Sequence, residues 1–156
     1  MNNMNLVDVL NEIVRINNDR IEGYKTAAEE TDDVGLQNFF SQLLQTSKQN
    51  ITMLDTAIEI HGGEATESTK ITGKFFRVWM DVKAALSSNE HVAILDSCLY
   101  GEKTIMETYE KLLEENKEQL PDKYKQILNV QLLNLKDDYN KVSTKLASFQ
   151  SLEKLA

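Results

Sequence analysis

From Leu6 onward, apolar residues return every three or four positions over long stretches, and the strict alternation of a strand is absent. One seam reads Leu6, Leu10, Ile13, Asn17, Ile21, Tyr24 and Ala28, and predicts an amphipathic helix over about 5–31. A second reads Leu36, Phe40, Leu43, Ser47, Asn50, Leu54 and Ile58 over about 34–61, with Asp33 as its N-cap and Gly62-Gly63 as its stop. The third, over about 89–116, reads Leu95, Leu99, Glu102, Met106, Tyr109 and Leu113 behind the capping-box spacing of Ser87-Ser88-Asn89-Glu90. The last, over about 121–150, has Pro121 in its first turn and reads Leu128, Leu132, Leu135, Tyr139, Val142, Leu146 and Phe149. A polar stretch separates the second seam from a short amphipathic segment at about 74–86, with Phe75, Phe76, Trp79 and Val82 on one side.

Seams this narrow can be buried only against one another, so the expected fold is an all-α four-helix bundle forming one domain over 1–156. Short first and last links predict two antiparallel hairpins. The long middle link, carrying its own short helix, predicts a single crossover along the bundle, the ferritin-like connectivity. The hairpins also resemble each other. Glu22 and Tyr24 lie on Glu107 and Tyr109 at an offset of 85, and Gln42-Leu43-Leu44-Gln45 lies on Gln131-Leu132-Leu133-Asn134 at an offset of 89. A duplicated hairpin predicts an approximate twofold axis.

Composition narrows the chemistry. Seventeen Lys+Arg against 25 Asp+Glu give a net charge of −8 in 156 residues, without the clustered basic groups that nucleic acid requires. No apolar run is long enough for a membrane span. A single cysteine, Cys98, provides neither a disulfide framework nor a cysteine-rich zinc site, and is expected to be a buried small hydrophobe. Met1-Asn2-Asn3-Met4-Asn5 lacks the regions of a secretory signal, so a cytoplasmic location is expected. No nucleophilic triad and no glycine-rich phosphate loop occurs, so neither a catalytic residue nor a cofactor is expected.

Di-metal bundles draw one Glu from each of two helices and a Glu-x-x-His pair from each of the other two. The repeat locates these positions at Asn17 and Glu102, at Ser47 and Asn50, and at Lys136 and Tyr139. Only Glu102 keeps a strong metal-binding group, and no Glu-x-x-His exists in the chain. His61 and His91 are expected at opposite ends of the bundle. No metal is therefore expected. The reading is a polar layer in which Glu102 meets Asn17, Ser47, Asn50 and Tyr139 and fixes helix register, with Tyr24 and Tyr109 as core tyrosines. The alternative is an unusual carboxylate site that joins Glu102 to Glu22, Glu107, Asp137 or Asp138 for iron or manganese chemistry.

The blocks Asn17-Asn18-Asp19-Arg20-Ile21-Glu22-Gly23-Tyr24, Ala27 to Asp33, His61-Gly62-Gly63-Glu64, Phe76 to Leu86 and Gly101-Glu102 resemble the small bacterial ferritin-like four-helix-bundle family of unassigned function. A more distant likeness is to rubrerythrin, from whose metal pattern the chain departs at Asn17, Ser47, Asn50, Lys136 and Tyr139. The resemblance implies a ferritin-like domain of a bacterial cytoplasm and no reaction. The expectation is a non-enzymatic, metal-free bundle that acts by binding or assembly, by family analogy in a stress setting. Its expected contact surface, for self-association or a protein partner, is Phe75, Phe76, Trp79 and Val82 on the crossover.

Overall fold

A computed structural model describes residues 4–65 and 91–155, the side chain of Glu30 excepted. Among them are four helices and no strand: α1 (Leu6–Glu30), α2 (Val34–Ile60), α3 (His91–Glu115) and α4 (Asp122–Leu155). The expected crossover helix, with Phe75, Phe76, Trp79 and Val82, lies outside the described residues, as does the capping box before α3. The described residues form an all-α four-helix bundle. None of its described helices is long and apolar enough to cross a membrane.

Local chemistry explains the ends. Asn5 Oδ1 accepts from the Asp8 N–H and starts α1, and Asp33 Oδ1 accepts from the Leu36 N–H and starts α2, as expected. At the close of α2, Gly62 takes φ +74°, a left-handed conformation that a side chain resists. The Gly62 and Gly63 N–H groups then return to the carbonyls of Glu59 and Ile58. A Cβ on Gly63 would lie 2.6 Å from Val7 Cγ1, so the turn packs directly on α1.

Bonds between helices give their directions. Asn17 of α1 meets Tyr109 of α3, whereas Tyr24, further along α1, meets Glu102, earlier on α3. The two helices are therefore antiparallel. Gln131 of α4 donates to the Asn50 carbonyl of α2, while Tyr124 contacts His61, so α2 and α4 are antiparallel too.

The interior has two apolar clusters. One joins Leu10, Ile13, Leu54, Ile58, Tyr109, Leu128 and Leu135. The other joins Ala27, Leu36, Phe40, Leu43, Ile94, Leu95 and Val142. A band of polar side chains lies between them. The burial pattern also refines the repeat. Every buried residue of α3 has a buried mate 85 positions earlier on α1, including Glu102 with Asn17, Ile105 with Arg20 and Tyr109 with Tyr24. Every buried residue of α4 has a buried mate on α2, but at an offset of 88 rather than 89, including Leu135 with Ser47 and Asp138 with Asn50.

Candidate functional site

The polar band is built by residues at seam positions of all four helices. Asn17, Arg20 and Tyr24 share one stripe of α1, since spacings of three and four return to the same helix face. Ser47 and Asn50 do the same on α2, Glu102 and Tyr109 on α3, and Gln131 and Asp138 on α4. All nine side chains are buried.

They form two networks. In the first, four residues from four helices close a ring of hydrogen bonds. Asn50 Nδ2 donates to Asn17 Oδ1 (3.2 Å), and Asn17 Nδ2 donates to the Tyr109 hydroxyl (2.8 Å). That hydroxyl donates to Gln131 Oε1 (2.9 Å), and Gln131 Nε2 donates to the Asn50 carbonyl (3.3 Å). Every member is neutral. Burial pushes the Tyr109 phenol above its ordinary range, partly offset by the bond from Asn17.

The second network is charged and centres on Arg20. Its Nε donates to Glu102 Oε1 (2.9 Å) and its Nη2 to Asp138 Oδ2 (2.9 Å). Its Nη1 donates to the Leu43 carbonyl (2.8 Å) and to Ser47 Oγ (3.1 Å). The guanidinium lies 5.1 Å from the centre of the Tyr24 ring, whose hydroxyl donates to the same Glu102 oxygen. Burial alone pulls the Arg20 pKa down, but the fields of Glu102, Tyr24 and Asp138 outweigh it, and the guanidinium stays charged. Glu102 moves the other way. Burial raises its pKa more than Arg20 and the Tyr24 hydroxyl lower it. Its Oε2 is buried and has no hydrogen-bond partner among the described residues, so an ionised Glu102 leaves one charged oxygen unsolvated. Asp138 gains a second, longer contact to the exposed Lys141 (3.8 Å).

The structure buries four of the six sequence-predicted positions in the band but divides them. Asn17 and Asn50 join the neutral ring, Ser47 and Glu102 the charged network, and Glu102 bonds to Arg20 and Tyr24 rather than to the expected Asn17, Ser47, Asn50 or Tyr139. Lys136 is exposed and Tyr139 is half-buried, and both stand outside the band. The offset of 89 is one residue too long, and one residue turns a helix by about 100°. The seam residues at that level of α4 are Leu135 and Asp138, so the layer holds a second carboxylate. Of the other acids considered for an unusual site, Glu22, Glu107 and Asp137 are exposed. His61 lies against Tyr124 at the start of α4 and His91 against Phe149 near its end. Those neighbours are about 37 Å apart along the helix, so the two histidines cannot meet. Cys98 is buried in the second apolar cluster, and burial pushes its thiol above the ordinary range.

Sequence reasoning missed Arg20, Gln131 and the role of Asp138. The available signal was spacing, because Arg20 follows Asn17 by three and precedes Tyr24 by four.

The residues at this level of the bundle do not fit the metal of the alternative carboxylate site. A fixed guanidinium stands where the Glu102 and Asp138 carboxylates converge. It repels a second cation and holds one oxygen of each carboxylate, Glu102 Oε1 and Asp138 Oδ2.

Residues 5–115 match the family described as Domain of unknown function (DUF2383). The match takes in α1, α2 and α3, and with them Arg20 and Glu102; Gln131 and Asp138 lie beyond it. Among curated proteins and among solved structures nothing matches.

Proposed function

The chain belongs to the DUF2383 family of domains of unknown function, and we propose that it is a non-enzymatic, metal-free, ferritin-like bundle that acts through its surface, by binding or assembly. One observation carries this reading. The interior level at which such bundles do redox chemistry is taken up by Arg20, whose guanidinium hydrogen-bonds to Glu102, Asp138, Ser47 and the Leu43 carbonyl. The remaining polar groups of the layer are bonded to one another, which suits a structural role in register and orientation. What remains for function is the exterior. Met53 and Ile60 on α2, and Val130 and Leu133 on α4, are apolar side chains exposed between 47% and 67%, and they support an association role. A bacterial cytoplasmic setting and a role under stress rest on the family likeness alone.

The test is elemental analysis of tag-free protein, as purified and after anaerobic incubation with iron(II) or manganese(II) and desalting, paired with light scattering across a concentration series. The reading expects no stoichiometric metal and a defined oligomer or a captured partner. Stoichiometric metal that disappears in Glu102→Ala would replace it with an iron- or manganese-dependent oxidase or iron-handling protein.

A further inference from the structure

The two networks of the layer occupy positions related by the repeat, and their compositions differ as sets. Arg20 has Ile105 as its mate, Glu102 has Asn17, and Asp138 has Asn50. Where the chain places a guanidinium it also places two carboxylates, and where the mate of that guanidinium is apolar the mates of both carboxylates are neutral amides. Two buried carboxylates without a cation are costly, as is a buried cation without them. Charge therefore enters this half of the layer as a unit.

The acceptors also match the shape of the donor. Four oxygens, from Glu102, Asp138, Ser47 and the Leu43 carbonyl, are spread around three nitrogens of one planar fork at 2.8–3.1 Å. A hard metal ion would draw oxygens to a single point at about 2.0–2.6 Å. Tyr24 supplies a further recognition element, its ring 5.1 Å from the guanidinium carbon.

We infer that Glu102, Asp138, Ser47, the Leu43 carbonyl and Tyr24 constitute a binding site for a planar guanidinium-type cation, which the chain fills with its own Arg20. The site is self-liganded. It rests on the reading of the interior as metal-free, and it makes a separate claim: the oxygens are arranged for a fork of N–H donors rather than for positive charge in general.

Arg20→Ala removes the ligand and leaves the site. The excised fragment corresponds to N-ethylguanidinium. Arg20→Ala is expected to lower the melting temperature by roughly 10 °C. Millimolar N-ethylguanidinium should restore about half of that loss saturably, while wild type shows only the small decrease of a weak denaturant. Rescue should vanish in Arg20→Ala/Glu102→Gln/Asp138→Asn. If N-ethylguanidinium destabilises Arg20→Ala as it does wild type, or if manganese(II) rescues it instead, the inference is overturned. Where Arg20→Ala does not fold, the neutral triple Arg20→Ile/Glu102→Asn/Asp138→Asn carries the test. A folded triple supports the unit, and a triple as unfolded as the single variant overturns it. Metal content of wild type separates the two claims, since bound metal there defeats the metal-free reading itself, whereas failed rescue in a metal-free protein defeats only this one.

Discussion

Two halves of one buried layer meet the same demand in opposite ways. Around Tyr109, three amide side chains and a phenol close a neutral ring in which every hydrogen bond has a donor and an acceptor from the protein. Around Arg20, a guanidinium binds two carboxylates, and one oxygen of Glu102 is left without a partner. The neutral ring is satisfied by hydrogen bonding alone. The charged cluster needs Coulomb attraction to offset the desolvation of three ions, and it holds more negative groups than positive ones. The first half tolerates the loss of one partner modestly, while the second depends on the Arg20 guanidinium.

The largest difference between the halves should come from Arg20→Met. It abandons two buried carboxylates and should cost about 3–5 kcal/mol, whereas Ile105→Met at the mate position should cost under about 1.5 kcal/mol. Denaturant unfolding of both variants measures the gap, and equal losses would break the comparison. Next comes Glu102→Leu, which strips the Tyr24 hydroxyl and Arg20 Nε of their acceptor and should cost about 2–3 kcal/mol. In the neutral ring, Gln131→Leu unpairs the Tyr109 proton and removes a second donor from the Asn50 carbonyl, for about 1–2 kcal/mol, and added salt should leave that value unchanged.

The smallest effect is expected from Glu102→Gln, within about 1 kcal/mol at neutral pH, because the amide oxygen keeps both bonds. Its sign depends on pH. The folded-state pKa of Glu102 is raised, so the stability it contributes is fully present below the ordinary glutamate range and is lost as pH rises through the raised value. Wild type should therefore compare best with Glu102→Gln in acid and lose ground as pH rises. A gap that widens in favour of wild type with rising pH would contradict the direction of that shift.

How much of this was legible in the sequence differs by helix. Every position of the α2 seam is buried, because its side chains are apolar or small and polar: Leu36, Phe40, Leu43, Ser47, Asn50, Leu54 and Ile58, with Leu44 and Ala57 added beside them. On α1 the apolar pattern runs through Ile21 and Ala28, while the structure buries Arg20 and Ala27 and leaves Ile21 and Ala28 half-buried. A pattern reading assigns arginine to solvent, and only the carboxylates of α3 and α4, remote in sequence, reverse that assignment. On α4 the short likeness of Gln42-Leu43-Leu44 to Gln131-Leu132-Leu133 set the register one residue late. Leu44 is buried and Leu133 is 63% exposed, so the likeness is one of composition and not of position. The fold was thus accessible from periodicity. The site was not, because its defining group is a cation whose burial depends on partners 82 and 118 residues away.

Arg20 is a fixed interior cation with its donors engaged on three other helices. Side-chain spectra of arginine-labelled (15N) protein address this directly. Arg20 should give separate, slowly exchanging Nη protons from hindered rotation, sharp at neutral pH and absent in Arg20→Lys. A single averaged, rapidly exchanging Arg20 signal would contradict it.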